Sequence, residues 1–127
     1  ELCLGNVEAK RDWGYAKEYV EAMWLMLQAK EPVDYVIGTG LQNSVRECYE
    51  IAFAHVGLEP DDFVKTDKSL QRPAEVDTLL ADPSKAEREL GWRSRTSFAE
   101  LVELMVDADL EAQERSSGRK PGAAGSR

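Results

Sequence analysis

Cysteine is scarce in this chain of 127 residues: there are two, Cys3 and Cys48, far apart in sequence. Two distant thiols make neither a disulfide framework nor a metal cluster. Free thiols in a reducing cytoplasm are the expected state, and no metal site is expected. Histidine is scarcer still. His55 stands alone, in the last turn of a predicted helix where a partial positive charge is favoured, and no catalytic role is expected of it. Long apolar runs are missing: none approaches the roughly 20 residues that span a membrane. Glu1-Leu2-Cys3-Leu4 has no basic stretch and meets Gly5 at once, unlike a secretory signal. Positive charge is in the minority, 16 Lys and Arg against 24 Asp and Glu, for a net −8. A phosphate ligand would therefore need local positive points, because the overall field does not attract it. Neither a nucleic-acid nor a membrane partner is expected.

What is present suits one globular unit. An apolar content of 43% argues against wholesale disorder, and the length allows a single core. No internal repeat is visible. The first residues read as the middle of a strand, and Glu1 stands where an initiator Met would. The chain is expected to be a fragment or truncated product of something longer, with one part at 1–114 and a disordered tail at 115–127.

Local signals place the elements. Leu2–Leu4 is a short strand. Trp13–Gln28 is a helix with Asp12 as N-cap, apolar nearly all round its C-terminal half. Such a helix wants burial on several sides, and a missing sheet is its natural partner. Glu31-Pro32 ends it. Tyr35-Val36-Ile37 reads as a buried strand before a Gly-rich turn. Ser44 and Glu47 form a capping box for a helix ending near Val56, with Gly57 just past the end. Phe63-Val64-Lys65 is another strand, and a loop carries Arg72. Asp82 and Pro83 open a short helix that stops at Gly91. Ser97 and Glu100 make a second capping box, for a helix from Phe98 to about Gln113 with Leu101, Leu104, Met105, Ala108 and Ala112 on one face. From Ser116 onward Gly, Ser, Pro, Lys and Arg dominate, the composition of a disordered tail. Trp13, Trp24 and Trp92 are expected in the core.

Two arginines stand out. Arg11 lies in Gly5-Asn6-Val7-Glu8-Ala9-Lys10-Arg11-Asp12-Trp13-Gly14-Tyr15-Ala16, and Arg72 in Arg72-Pro73-Ala74-Glu75-Val76-Asp77. Each sets a planar, always-charged guanidinium in a loop between predicted elements, a geometry that suits two-bond contacts to phosphate oxygens. Read alone, Arg11 is more simply a surface ion pair with Glu8 or Asp12, or a helix-start arginine. Glu75, three residues past Arg72, is placed either to accept from ribose hydroxyls or to sit in solvent. Arg46 falls in the first turn of a helix, where the dipole disfavours a cation; a structural partner or a ligand would offset that. Gly38-Thr39-Gly40 follows a strand and precedes a helix, but Asn43 stands where a dinucleotide fingerprint has its third small residue. A plain strand-to-helix turn is the favoured reading.

The stretches Leu4–Leu27 (LGNVEAKRDWGYAKEYVEAMWLML), Tyr35–Gly40, Ser44–Glu47, Arg72–Asp77 (RPAEVD), Asp82–Ala86, Leu90-Gly91-Trp92 and Met105–Asp109 resemble the C-terminal part of GDP-mannose 4,6-dehydratases, members of the extended short-chain dehydrogenase/reductase superfamily. The resemblance runs from about residue 2 to about 112, and AKRDWGYAKEYVEAMW is its most specific string. It implies an α/β fold: the C-terminal substrate-binding part of an extended short-chain dehydrogenase/reductase, lacking the N-terminal Rossmann core. It implies that Arg11 and Arg72 hold the diphosphate, that Glu75 accepts from the ribose, and that Gly5 and Asn6 approach the guanine–ribose end. The intact lyase would convert GDP-mannose to GDP-4-dehydro-6-deoxymannose, on the route to GDP-fucose, as a cytoplasmic homo-oligomer with NADP bound by the missing N-terminal part.

The catalytic residues are expected elsewhere. Superfamily chemistry needs a Tyr-x-x-x-Lys pair, and none of Tyr15, Tyr19, Tyr35 and Tyr49 has Lys four residues on. The chain alone is expected to be inactive. Leu70-Gln71 replaces an aromatic pair usual before Arg-Pro, Gln42-Asn43 replaces Thr/His before Ser-Val-Arg, and Arg93-Ser94 replaces Lys-Pro after Gly-Trp. The alternatives are another sugar-nucleotide epimerase or reductase of the superfamily, or a non-catalytic nucleotide-binding or interaction module.

Overall fold

The computed structural model describes residues 1–70 and 78–118. The N-terminal strand β1 (Leu2–Leu4) is followed by a two-residue strand, β2 (Lys10–Arg11), and by helix α1 (Ala16–Gln28). A second two-residue strand, β3 (Asn43–Ser44), runs directly into helix α2 (Val45–His55). Strand β4 (Val64–Thr66) lies between 3-10 turns at Pro60–Asp62 and Lys68–Leu70. Helices α3 (Ser84–Leu90) and α4 (Phe98–Ser116) complete the chain.

Among the described residues the strands form two small sheets. β1 and β4 are parallel, with Leu2 opposite Val64 and Leu4 opposite Thr66. β2 and β3 are antiparallel, with Lys10 opposite Ser44 and Arg11 opposite Asn43. Lys10 also forms a parallel bridge with Thr78. Between β1 and β2 the buried residues Val7 and Ala9 dock on the start of α2, where Arg46 N–H donates to the Val7 carbonyl (2.9 Å) and Val45 N–H to that of Ala9 (3.2 Å).

The core sits between α1, α3 and the segment after α3. Ala22, Ala86 and Trp92 are its buried centre, with Tyr19, Leu25, Met26, Tyr35, Ile37 and Leu90 packed around them. Two alanines at the crossing let the helices approach, and the Trp92 indole fills the space beside them. Its ring meets Tyr19 edge-on at 6.0 Å, and its Nε1–H donates to the Glu18 carbonyl at 2.8 Å, so the buried indole leaves no polar atom unpaired. Gly91 makes the turn into Trp92 possible. It caps α3 at φ 66°, a left-handed conformation that glycine adopts without strain. α2 packs on α4, where Leu101 and Val102 are buried.

Several local expectations hold. Both capping boxes form, with Ser44 and Glu47 at the start of α2 and Ser97 and Glu100 at that of α4. Serine–glutamate pairs three apart satisfy two otherwise unpaired N–H groups, one each way, and such pairing draws both carboxyl groups below their ordinary values. Gly57 follows α2 with φ 71°, and Asp82 Oδ1 accepts from Ser84 N–H (3.0 Å) at the start of α3.

Others are corrected. α1 begins at Ala16, not Trp13, and its N-cap is Tyr15 without a side-chain bond. Asp12 does not cap it because its carboxylate binds the Thr39–Gly40 turn instead. Tyr35-Val36-Ile37 forms no strand, since no other described strand lies beside it. The strand expected at Phe63 starts one residue later, at Val64. α4 buries Leu101 and Val102 but leaves Leu104 and Met105 exposed, so the packed stripe is shifted by one position from the expected face. α4 also runs on to Ser116, past the expected end near Gln113; 119–127 lie outside the described residues. Trp24, expected in the core, is 60% exposed. With Val20, Met23 and Leu27 it forms an exposed stripe at i, i+3, i+4, i+7, opposite the stripe that packs on Trp92.

Candidate functional site

Three of the five predicted site residues come together in one place. Gly5, Asn6 and Arg11 line an open hollow of about 320 Å³. Leu4, at the end of β1, Ala9, Trp13, Val45 and Leu70 complete its lining. The arrangement follows from chain geometry. β1 ends in a turn at Gly5-Asn6, where Asn6 Oδ1 accepts from Glu8 N–H at 3.0 Å, and β2 returns along the start of α2. The hollow therefore lies at the C-terminal end of a parallel strand pair, where ligands of α/β proteins commonly bind.

Arg72 and Glu75 lie outside the described residues. The flanks of their segment are described, and one of them reaches the hollow. Leu70 lines it, and Thr78 bridges Lys10, the neighbour of Arg11.

The polar groups around the hollow sort themselves clearly. Glu8 pairs with Arg46, whose Nε lies 2.7 Å and Nη2 2.6 Å from its Oε1. Arg46 Nη1 also meets the Tyr49 hydroxyl at 3.0 Å. The hydrogen bond to Glu8 and its charge raise the Arg46 pKa, and this ion pair offsets the unfavourable helix dipole. Arg46 therefore has a structural partner. Asp12 is likewise engaged, by Thr39 and Gly40. Arg11 Nη1 donates to the Lys10 carbonyl at 2.6 Å.

The Gly38-Thr39-Gly40 turn is not a phosphate cradle. Its Thr39 and Gly40 N–H groups, which such a cradle would present to a phosphate, already donate to Asp12. The residues of this chain do not fit a dinucleotide cofactor at this turn. Among the described residues no group of three or more His, Cys, Asp or Glu could hold a metal, and no helix is long and apolar enough to cross a membrane. Cys3 is exposed and Cys48 half-buried, both free, and burial raises the Cys48 thiol pKa.

Trp13 is the site residue that sequence reasoning misplaced. It was expected in the core, but its ring walls the hollow, its Nε1–H donates to the Asn43 carbonyl at 3.0 Å, and Phe98 lies 6.0 Å away. Its place directly after Arg11-Asp12 was the only local signal.

Solved structures with this architecture define the class. A dTDP-glucose 4,6-dehydratase from Streptomyces venezuelae with NAD and TYD bound superposes with a TM-score of 0.78 at 26% identity, over 90% of this chain and 35% of that one. A UDP-glucose 4-epimerase from Thermotoga maritima with UDP-glucose gives 0.77 at 25% identity, over 90% and 36%. This chain has the fold of one part of an extended short-chain dehydrogenase/reductase.

Within that class the sequence is more specific. The family model for GDP-mannose 4,6 dehydratase matches residues 1–105, and the chain belongs to that family. It is 50% identical to GDP-mannose 4,6 dehydratase 1 of Arabidopsis thaliana over 115 residues, 91% of this chain and 32% of the relative. The GDP-mannose 4,6 dehydratase of Homo sapiens is 47% identical over 125 residues, covering 85% of this chain and 34% of the relative. The chain thus spans about a third of the length of the curated relatives it matches.

Proposed function

We propose that this chain is the GDP-binding part of a GDP-mannose 4,6-dehydratase, the lyase that converts GDP-mannose to GDP-4-dehydro-6-deoxymannose. The observation that carries the reading is the shared hollow: Gly5, Asn6 and Arg11 line it together with Leu70, one described flank of the segment bearing Arg72 and Glu75, and the other described flank, Thr78, bridges Lys10 beside Arg11. In this reading Arg11 and Arg72 clamp the diphosphate, and Glu75 accepts from the ribose hydroxyls. Gly5 and Asn6 meet the guanine–ribose end, where a glycine lets the backbone approach closely. The chain carries net −8, so attraction of the diphosphate rests on these local guanidiniums rather than on the long-range field.

NADP and the catalytic groups belong, in this reading, to the remainder of a longer protein. The Gly38–Gly40 turn has its N–H groups engaged, and the chain has no Tyr-x-x-x-Lys pair. The same reading makes the intact enzyme a cytoplasmic homo-oligomer and the chain alone inactive. Calorimetric titration of the full-length protein with GDP tests it. Arg11→Ala and Arg72→Ala should each weaken GDP, and two variants that bind GDP like wild type would sink the assignment.

A further inference from the structure

We infer that Asp12 is a positioning residue for Arg11, its carboxylate locking the strand end that carries the guanidinium to the Gly38–Gly40 turn. The inference rests on the reading of Arg11 as a phosphate ligand. Asp12 is the residue that follows the last paired position of β2. On the near side Arg11 is held by its register with Asn43 and by Lys10, which pairs with Ser44 and Thr78. Past Arg11 the ladder ends, and the peptide that leaves it is set by where Asp12 goes.

The turn receives that carboxylate on three donors. Oδ1 accepts from the Thr39 hydroxyl at 2.7 Å and from Thr39 N–H at 2.9 Å. Oδ2 accepts from Gly40 N–H at 2.9 Å and shares Thr39 N–H at 3.1 Å. Gly38 allows the approach: a Cβ there would stand 2.9 Å from Oδ2 and collide with the Ala81 side chain. Charge-assisted bonds from two consecutive backbone N–H groups and a hydroxyl are strong and directional. They hold the backbone of residue 12 in one place. A guanidinium that must meet two phosphate oxygens in plane tolerates only about 0.5 Å of displacement. Asp12 and Thr39 are 27 positions apart and the stretch between them includes α1, so the same bond ties the start of that helix to the site.

The test is a double-mutant cycle in the full-length protein, read as GDP affinity by calorimetry with guanosine as the ligand lacking phosphate. Asp12→Asn keeps one acceptor but turns an N–H2 toward the Thr39–Gly40 donors. It should weaken GDP about tenfold, the size of coupling found within one hydrogen-bonded network. In an Arg11→Ala background the same change should cost less than about twofold, because the group it positions is gone. Guanosine binding should not change in either. Thr39→Val, which removes only the hydroxyl donor, is the milder variant should Asp12→Asn fail to fold; it should weaken GDP several-fold, again only when Arg11 is present. If Arg11→Ala weakens GDP while Asp12→Asn or Thr39→Val costs the same in both backgrounds, or nothing in either, the positioning role is overturned alone. If Arg11→Ala leaves GDP affinity intact, the phosphate-ligand reading of Arg11 falls first and the inference falls with it.

Discussion

The Glu18 carboxylate and Thr96, seventy-eight positions apart, are joined by two hydrogen bonds to one oxygen: the Thr96 hydroxyl at 2.8 Å and its N–H at 3.1 Å. Ser94 and the Arg95 N–H reach the other oxygen at 3.0 and 3.2 Å. Glu18 is 6% exposed, and its backbone carbonyl takes the Trp92 indole N–H. One residue in the first turn of α1 therefore fixes the whole strap from Trp92 to Thr96 that leads into α4.

The first prediction follows from that strap. Burial alone would raise the Glu18 pKa, but the hydrogen bonds from Thr96, Arg95 and Ser94 outweigh it and hold the carboxyl below its ordinary 4.5. A lowered carboxyl stabilises the fold above the unfolded value, and that contribution is lost as pH falls from 4.5 through the folded value. Glu18→Gln should lower the thermal midpoint at neutral pH and flatten the loss of stability on acidification. A variant whose midpoint tracks wild type down to about pH 3 would show that the carboxylate charge does not matter.

A second prediction concerns the opposite sign. His55 at the end of α2 lies 2.7 Å from Asp107 on α4, and its pKa is raised: that hydrogen bond is the largest cause, burial opposes it, and the charges of Asp107 and Glu103 add to the rise. A raised histidine contributes stability that is fully present below 6.5 and is lost as pH rises through the folded value. His55→Gln should therefore cost more at about pH 5.5 than at about pH 8.5. Equal costs measured by denaturant midpoints at the two pH values would mean that the pair does not tie α2 to α4.

The stripe Val20, Met23, Trp24 and Leu27 on α1, with Leu27 82% exposed, carries a third. A contiguous apolar face of this kind drives association unless something covers it. The isolated chain should self-associate in light scattering and bind a hydrophobic dye, and Trp24→Glu with Leu27→Lys should reduce both. A wild-type monomer that ignores the dye would remove the need for a covering partner.

The fourth tests the proposed site. In the full-length protein Arg11→Ala and Arg72→Ala should each weaken GDP by about 1.5–3 kcal/mol, the worth of a hydrogen bond to a charged group. Lysine at either position should recover only part, because an ammonium cannot make the planar two-bond contact. Glu75→Gln should weaken GDP and GDP-mannose alike, since both carry the ribose. NADP affinity should hardly change in any of these variants, and an equal loss of NADP would point to misfolding instead.

Separately, truncating Trp92 to Ala should cost about 3–5 kcal/mol of stability, as loss of a buried aromatic generally does, and denaturant titration measures it directly.

Much of this was legible from local sequence because the interactions are local. Ser44 with Glu47, Ser97 with Glu100, Asp82 with Ser84 and the glycines at 57 and 91 act within one helical turn, so residue type and spacing determine them. The strings around Arg11 and Arg72 carried the family in the same way. Tertiary structure alone decided where the long-range carboxylates went. Asp12 has the look of a helix cap, but its partners lie 27 and 28 residues away, and Glu18 is an ordinary first-turn acid until Ser94, Arg95 and Thr96 fold onto it. It also decided which stripe of α1 is buried. Both stripes are apolar, and only the position of Trp92 and Ala86 shows that Ala22 and Met26 face inward while Trp24 and Leu27 face solvent. A pairing set by backbone spacing can be read along the chain, whereas one set by the docking of distant segments exists only once those segments meet.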